Sequence, residues 1–82
     1  MTDRRRDSAL PLSELRCGLS AFVVEIGELY RDRLAGFGLY PGVEVSLHQT
    51  YPSFVIRVDE LELALETEIA REVLVVPHGS QT

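Results

Sequence analysis

A chain of 82 residues with thirteen acids against eight bases is one domain of net charge −5, which argues against a nucleic-acid module with its concentrated basic surface. Hydrophobic content of 45% with 26% charged residues excludes a disordered chain. The lone Cys17 excludes an internal disulfide and a cysteine metal cluster and suits a reducing cytoplasm, while no apolar run approaches the ~20 residues of a membrane span, so no direct membrane insertion is expected.

In chain order, residues 1–8 read as a flexible leader, with Arg4, Arg5 and Arg6 followed at once by Asp7. No secretory h-region follows these arginines, because Ala9-Leu10-Pro11-Leu12 is short and carries a proline. The folded domain is expected over 10–77 and a flexible polar tail over 78–82. Pro11 to Leu15 reads as a single helical turn, with Ser13 as N-cap, Leu12 and Leu15 as anchors and Gly18 just beyond. Ser20 to Ile26 is β-branched and aromatic and predicts a strand, with Phe22, Val24 and Ile26 on one face and Val23 and Glu25 on the other. Glu28 to Ala35 has helical period. Leu29, Arg33 and Phe37 fall on one line and Tyr30, Leu34 and Phe37 on the next. Glu28 at its start and Arg33 near its end both suit the helix dipole.

The stretch from Arg33 to Val45 then turns the backbone. Gly36 or Gly38 can take the left-handed conformation that ends a helix, and Pro41-Gly42 suits a type II turn. Val43 to His48 alternates as a half-buried strand. Gln49 to Ser53 is a short connection containing Pro52. Phe54 to Val58 is a strand with Phe54, Ile56 and Val58 inward. Asp59-Glu60 is a link of hairpin length without the favoured glycine, and Leu61 to Glu66 alternates again. Thr67 is placed to cap a short turn over Glu68 to Arg71, and Val73 to Val76 is a last strand stopped by Pro77. Five short strands, a two-turn helix and two single turns predict a small, strongly bent antiparallel barrel rather than a doubly wound parallel sheet.

Chemistry is sparse. His48, His78 and Cys17 are the softest metal ligands, but no C-x2-C, H-x3-H or H-E-x-x-H spacing occurs. They read as two solvent-facing imidazoles and a small buried thiol, and no metal ligand is assigned. Glu62 and Glu66 share the outward face of their strand, as expected of a solvated acidic surface. No serine lies in a G-x-S-x-G elbow. Gly36, Gly38 and Gly42 close a helix rather than open one, and the chain has no lysine, so they do not form a phosphate loop. No catalytic residue and no cofactor is assigned, and the chain reads as a non-enzyme. Tyr40 and Tyr51 fall on turns, where each either anchors a partner or covers an end of the barrel with its ring; Tyr30, on the helix stripe, reads as packing.

Several segments together carry a resemblance: Pro11-Leu12-Ser13-Glu14-Leu15 followed by Gly18, Arg33-Leu34 leading to Gly38-Leu39, Pro41-Gly42-Val43-Glu44-Val45, and Leu63-Ala64-Leu65 followed by Ala70 and Val73-Leu74-Val75. From about Leu10 to Val76 the chain resembles the FeoA family, the small cytosolic companion of the FeoB ferrous iron transporter. The resemblance implies a mainly β fold, an SH3-like five-stranded antiparallel barrel with an inserted α-helix. It implies a cytoplasmic, non-catalytic accessory or regulatory protein of ferrous iron uptake, acting on the cytosolic G-domain side of FeoB. The expected partner surface lies around the helix end and the loops, at Leu34, Phe37, Leu39, Tyr40 and Tyr51. Two departures stand out: Phe37 replaces a common Met, and the Gln49–Ser53 connection lacks a longer polar loop. Similar domains occur at the C-terminus of DtxR-type repressors, but no helix-turn-helix precedes this one, so a free-standing module is expected. Two alternatives remain open: a transition-metal sensor or carrier using His48 or Cys17, and a generic SH3-like adaptor, which the absence of Trp weakens. Small barrels also pair at strand edges, so a homo-oligomer is compatible with the sequence.

Overall fold

The alternating segments become strands of one antiparallel sheet. The computed structural model describes residues 9–78; the expected leader at 1–8, and the expected tail apart from His78, lie outside the described residues. In chain order the elements are β1 (Leu10–Pro11), a 3-10 turn (Leu12–Glu14), β2 (Ser20–Ile26), α1 (Glu28–Ala35), β3 (Glu44–Gln49), β4 (Phe54–Val58), β5 (Leu61–Leu65), α2 (Thr67–Arg71) and β6 (Val73–Pro77). The sheet order is β1-β6-β2-β3-β4-β5, with every neighbouring pair antiparallel. Helix α1 is inserted between β2 and β3, and α2 packs against the 3-10 turn near the two sheet edges.

The five strands expected from alternation are β2 to β6. β1 is an addition: Leu10 and Pro11 pair with Val75 and Leu74. A two-residue strand has no period to read, and an edge position tolerates the missing proline N–H.

β2 does not keep the expected faces. Its register against β6 shifts between Val23 and Glu25, a bulge that resets the alternation. Ala21, Val23 and Ile26 are therefore all buried, while Phe22, expected to share a face with Ile26, is 40% exposed. β3 and β4 hold their pattern, with Val45, Leu47, Phe54, Ile56 and Val58 in the core. Burial along β5 is graded: Leu65 is buried, Leu63 half-buried and Leu61 exposed. β5 is an edge strand, and its hairpin end runs away from the core. The favoured two-residue hairpin turns need a positive φ at their first central residue, and Asp59 supplies it at 57°.

The two short turns are held by packing rather than by side-chain caps. Pro11 and Glu66 occupy the N-cap positions, neither with a capping side-chain bond, in place of the expected Ser13 and Thr67. Leu12, Leu15 and Ala70 anchor these turns in the core instead. Cys17, expected to be a buried thiol, is exposed. The core is apolar throughout: Leu12, Ile26, Leu39, Leu47 and Ile56 are its largest fully buried side chains, and among the described residues no polar or charged one is buried.

Gly36 and Gly38 separate the roles of the two helix-end glycines. Gly36 is right-handed at φ −63° and Gly38 is left-handed at φ +88°. Gly38→Ala is expected to lower the unfolding free energy by about 1 kcal/mol, because the left-handed conformation crowds a Cβ. Gly36→Ala is expected to raise it by about 0.5 kcal/mol by restricting the unfolded chain. Denaturation followed by circular dichroism should give midpoint shifts of opposite sign.

Candidate functional site

The site is built where α1 stops. Gly38 donates its N–H to the Ala35 carbonyl at 2.9 Å, and Leu39 donates to the Leu34 carbonyl at 3.0 Å. These are the two bonds of a Schellman stop, with Gly38 as the left-handed residue. That motif brings the side chain after the glycine against the one at the start of the last turn, here Leu39 and Leu34. Both lie in the core cluster, at 0% and 2% exposure.

The chain turns again at once. Val43 donates to the Tyr40 carbonyl at 3.1 Å across Pro41-Gly42, and Gly42 has φ +98°, which makes the expected type II turn. Gly42 donates to the Val23 carbonyl at 2.7 Å, and Val23 donates to the Val43 carbonyl at 2.8 Å. The turn is thus pinned to β2 by bonds in both directions. At the start of the helix, Gly27 donates to the Glu72 carbonyl at 2.8 Å, and Arg31 Nη2 donates to the Ile26 carbonyl at 3.3 Å. The backbone between β2 and β3 is therefore tied at both ends.

This geometry sorts the expected partner residues. Phe37 and Tyr40 are 49% and 50% exposed on the tied segment. Leu34 and Leu39 face the core, so neither presents a surface; the sequence cue was the Leu34-x-x-x-Gly38-Leu39 pattern, whose flanking apolar residues close on each other. Tyr51 is 84% exposed but lies elsewhere. Tyr40 precedes β3 and Tyr51 follows it, so a strand of six residues, about 20 Å long, separates them.

Leu19, Phe22, Leu29 and Leu61 are exposed outside the expected surface, Leu29 the most of the four. Leu29, placed with the helix stripe by period, is 83% exposed. It lies about 140° around the helix from Leu34, on the side away from the core. Tyr30 packs partly against the core, as expected. Leu29 and Tyr30, with Glu68, Arg71 and Glu72, line an open recess of about 370 Å3.

The potential metal ligands are dispersed. His78, expected in the tail, is held: its N–H donates to the Ser20 carbonyl at 2.9 Å, its Nε2 lies 3.0 Å from Glu44 Oε2, and its ring centroid is 4.6 Å from that of Phe22. His48 and Cys17 are exposed on other segments. Among the described residues no group of three or more His, Cys, Asp or Glu side chains is placed to hold a metal ion. No helix among them is long and apolar enough to cross a membrane.

The FeoA domain family matches residues 10–77 of this chain. A crystal structure of an iron uptake regulatory protein, FeoA, is similar at 30% identity and TM-score 0.77, over 84% of this chain and 96% of that one. FeoA from Stenotrophomonas maltophilia, crystallised with zinc and described as a prokaryotic SH3 domain protein, is similar at 28% identity and TM-score 0.71, over 80% of this chain and 88% of that one. IdeR from T. acidophilum shares the fold at 20% identity and TM-score 0.78, over 85% of this chain and 34% of that one. No curated protein matches by sequence. The mainly β, SH3-like barrel with an inserted helix is the fold found, with β1 added to the expected five strands.

Burial separates support from surface in a measurable way. Leu39→Ala is expected to cost about 2–5 kcal/mol of stability, the range for a leucine removed from a packed core. Phe37→Ala and Tyr40→Ala should each cost about 1 kcal/mol or less, since half of each ring is already wet. Urea denaturation of the three variants measures the difference.

Proposed function

Because the chain belongs to the FeoA family, we propose that it is a non-catalytic accessory protein of ferrous iron uptake that binds the cytosolic G-domain side of an FeoB-type transporter. The observation that carries the contact surface is the exposure of Phe37 and Tyr40 on a backbone fixed by the helix stop and the type II turn. Aromatic rings bury large area on contact, and tyrosine adds a hydroxyl that tolerates a wet rim. A preformed backbone leaves little ordering cost to binding. Leu34 and Leu39 serve this face from beneath by holding the turn in place. Tyr51, at the other end of β3, would reach a separate part of the partner.

The proposed effect is on the transporter's assembly, nucleotide cycle or gating. The Stenotrophomonas relative has been put forward as a ferrous iron transport activating factor, which agrees with a regulatory role. The cytoplasm is the compartment this role requires. The zinc in that relative favours a second reading, a transition-metal sensor or carrier. The described residues do not fit it well, because His48, Cys17 and His78 lie on separate segments and His78 is already engaged by Glu44.

Calorimetric titration of the intact protein with the transporter's cytosolic domain, in GDP and GTP-analogue states, tests the proposal. The Phe37→Glu/Tyr40→Glu variant is expected to bind at least about tenfold more weakly, a loss usual for central aromatic anchors. Unchanged affinity in that variant would remove the proposed surface. No binding by the unmodified protein in either nucleotide state would remove the proposed partner.

A further inference from the structure

We propose that the open edge of β5 is a second interaction surface, one that accepts an extended basic segment of a partner protein as an added strand. Phe37 and Tyr40 take no part in it, so it stands or falls apart from the transporter-binding face. Among the described residues β5 pairs only with β4, in the register Val58↔Leu61, Ile56↔Leu63 and Phe54↔Leu65 with Arg57↔Glu62 and Val55↔Ala64 between. The pair that closes a two-residue hairpin exchanges both backbone bonds, and bonded pairs alternate from there. Glu62 and Ala64 therefore turn their N–H and C=O groups away from β4, and both residues are exposed.

Edges are normally blunted by brevity, proline, a bulge or charged side chains. The opposite edge, β1, is two residues long and contains Pro11. β5 is five residues long, has no proline, and keeps an unbroken register with β4. Of these devices it carries charge, which discourages an uncharged or acidic strand but not a basic one. Glu62 and Glu66 share the face of Ala64, with Arg57 of β4 directly opposite Glu62. This charge decides the occupant. A second copy added antiparallel to β5 would set its own acidic face beside Glu62 and Glu66, and like charges in cross-strand positions are destabilising. A strand with arginine at alternate positions meets the same carboxylates favourably, while its apolar positions cover Leu61, which is 45% exposed, and the half-buried Leu63.

A short peptide alternating arginine and valine, titrated into the isotope-labelled full chain and followed by NMR, tests this. The largest amide shifts and slowed exchange are expected at Glu62 and Ala64, with affinity falling as salt rises. The same peptide N-methylated at alternate residues keeps its charge and side chains but loses backbone donors, and it should bind at least about tenfold more weakly. Glu62→Lys/Glu66→Lys, which alters only exposed side chains, should weaken the unmodified peptide to a similar degree. Equal binding of the N-methylated peptide would reduce the effect to diffuse charge attraction and overturn the proposal. So would shifts confined to another face, or no binding. Binding gained only when residues 1–8 are removed would make Arg4, Arg5 and Arg6 the occupant, and concentration-dependent dimerisation through β5 would make it a second copy; either result overturns the partner proposal.

Discussion

The hydrogen bond from the Leu39 amide to the Leu34 carbonyl is the constraint on which the rest of this fold depends. It ends α1, seats two leucines in the core, and aims the chain at the Pro41-Gly42 turn. The bonds between that turn and Val23 then deliver β3 to its place beside β2. Backbone and side chains act together here. The left-handed Gly38 permits the bond, and burial of Leu34 and Leu39 makes the alternative, a longer helix, unfavourable. Phe37 lies between the two leucines in sequence and Tyr40 directly after them, so both rings stay outside once the leucines go in.

A domain of this size buries only roughly 60–65% of its unfolded surface. The core is correspondingly simple, with aliphatic side chains dominant and Phe54 its one buried aromatic among the described residues. Such a core specifies packing but has no buried polar network to fix register. Backbone devices take on that role: the bulge in β2, the second register shift between β3 and β4, and the positive φ at Asp59. The 3-10 turn and α2 fill the space by the sheet edges with Leu12, Leu15 and Ala70, leaving the outer backbone of β5 open.

The sequence made much of this legible. The limits of α1, the inward faces of β3 and β4 and the type II turn all follow from local period or local turn chemistry. Most of the differences depend on a contact between segments distant in sequence, or on a motif broader than a simple period. The bulge that exposes Phe22 is set by pairing with β6. A stripe and a turn taken separately leave Leu34 and Leu39 as surface candidates, whereas the helix stop is one motif with these two as its closing side chains. Leu29 belonged to the apolar residues of the helix but not to their buried face, as its angular distance from Leu34 already implied. Tyr51 resembled Tyr40 in chemistry, yet β3 holds them apart. The function was not legible in period or charge; it entered through the Arg33-to-Val45 segment and its companions, whose resemblance agrees with the family match over residues 10–77.

The central claim is that one rigid segment, from the helix stop to the type II turn, both closes the fold and meets the partner. Amide hydrogen exchange of the full chain, with and without the cytosolic domain of the transporter, tests it most directly. The account predicts added protection over residues 36–43, around Phe37 and Tyr40. Protection confined to other elements, with that segment exchanging as in the free protein, would contradict it.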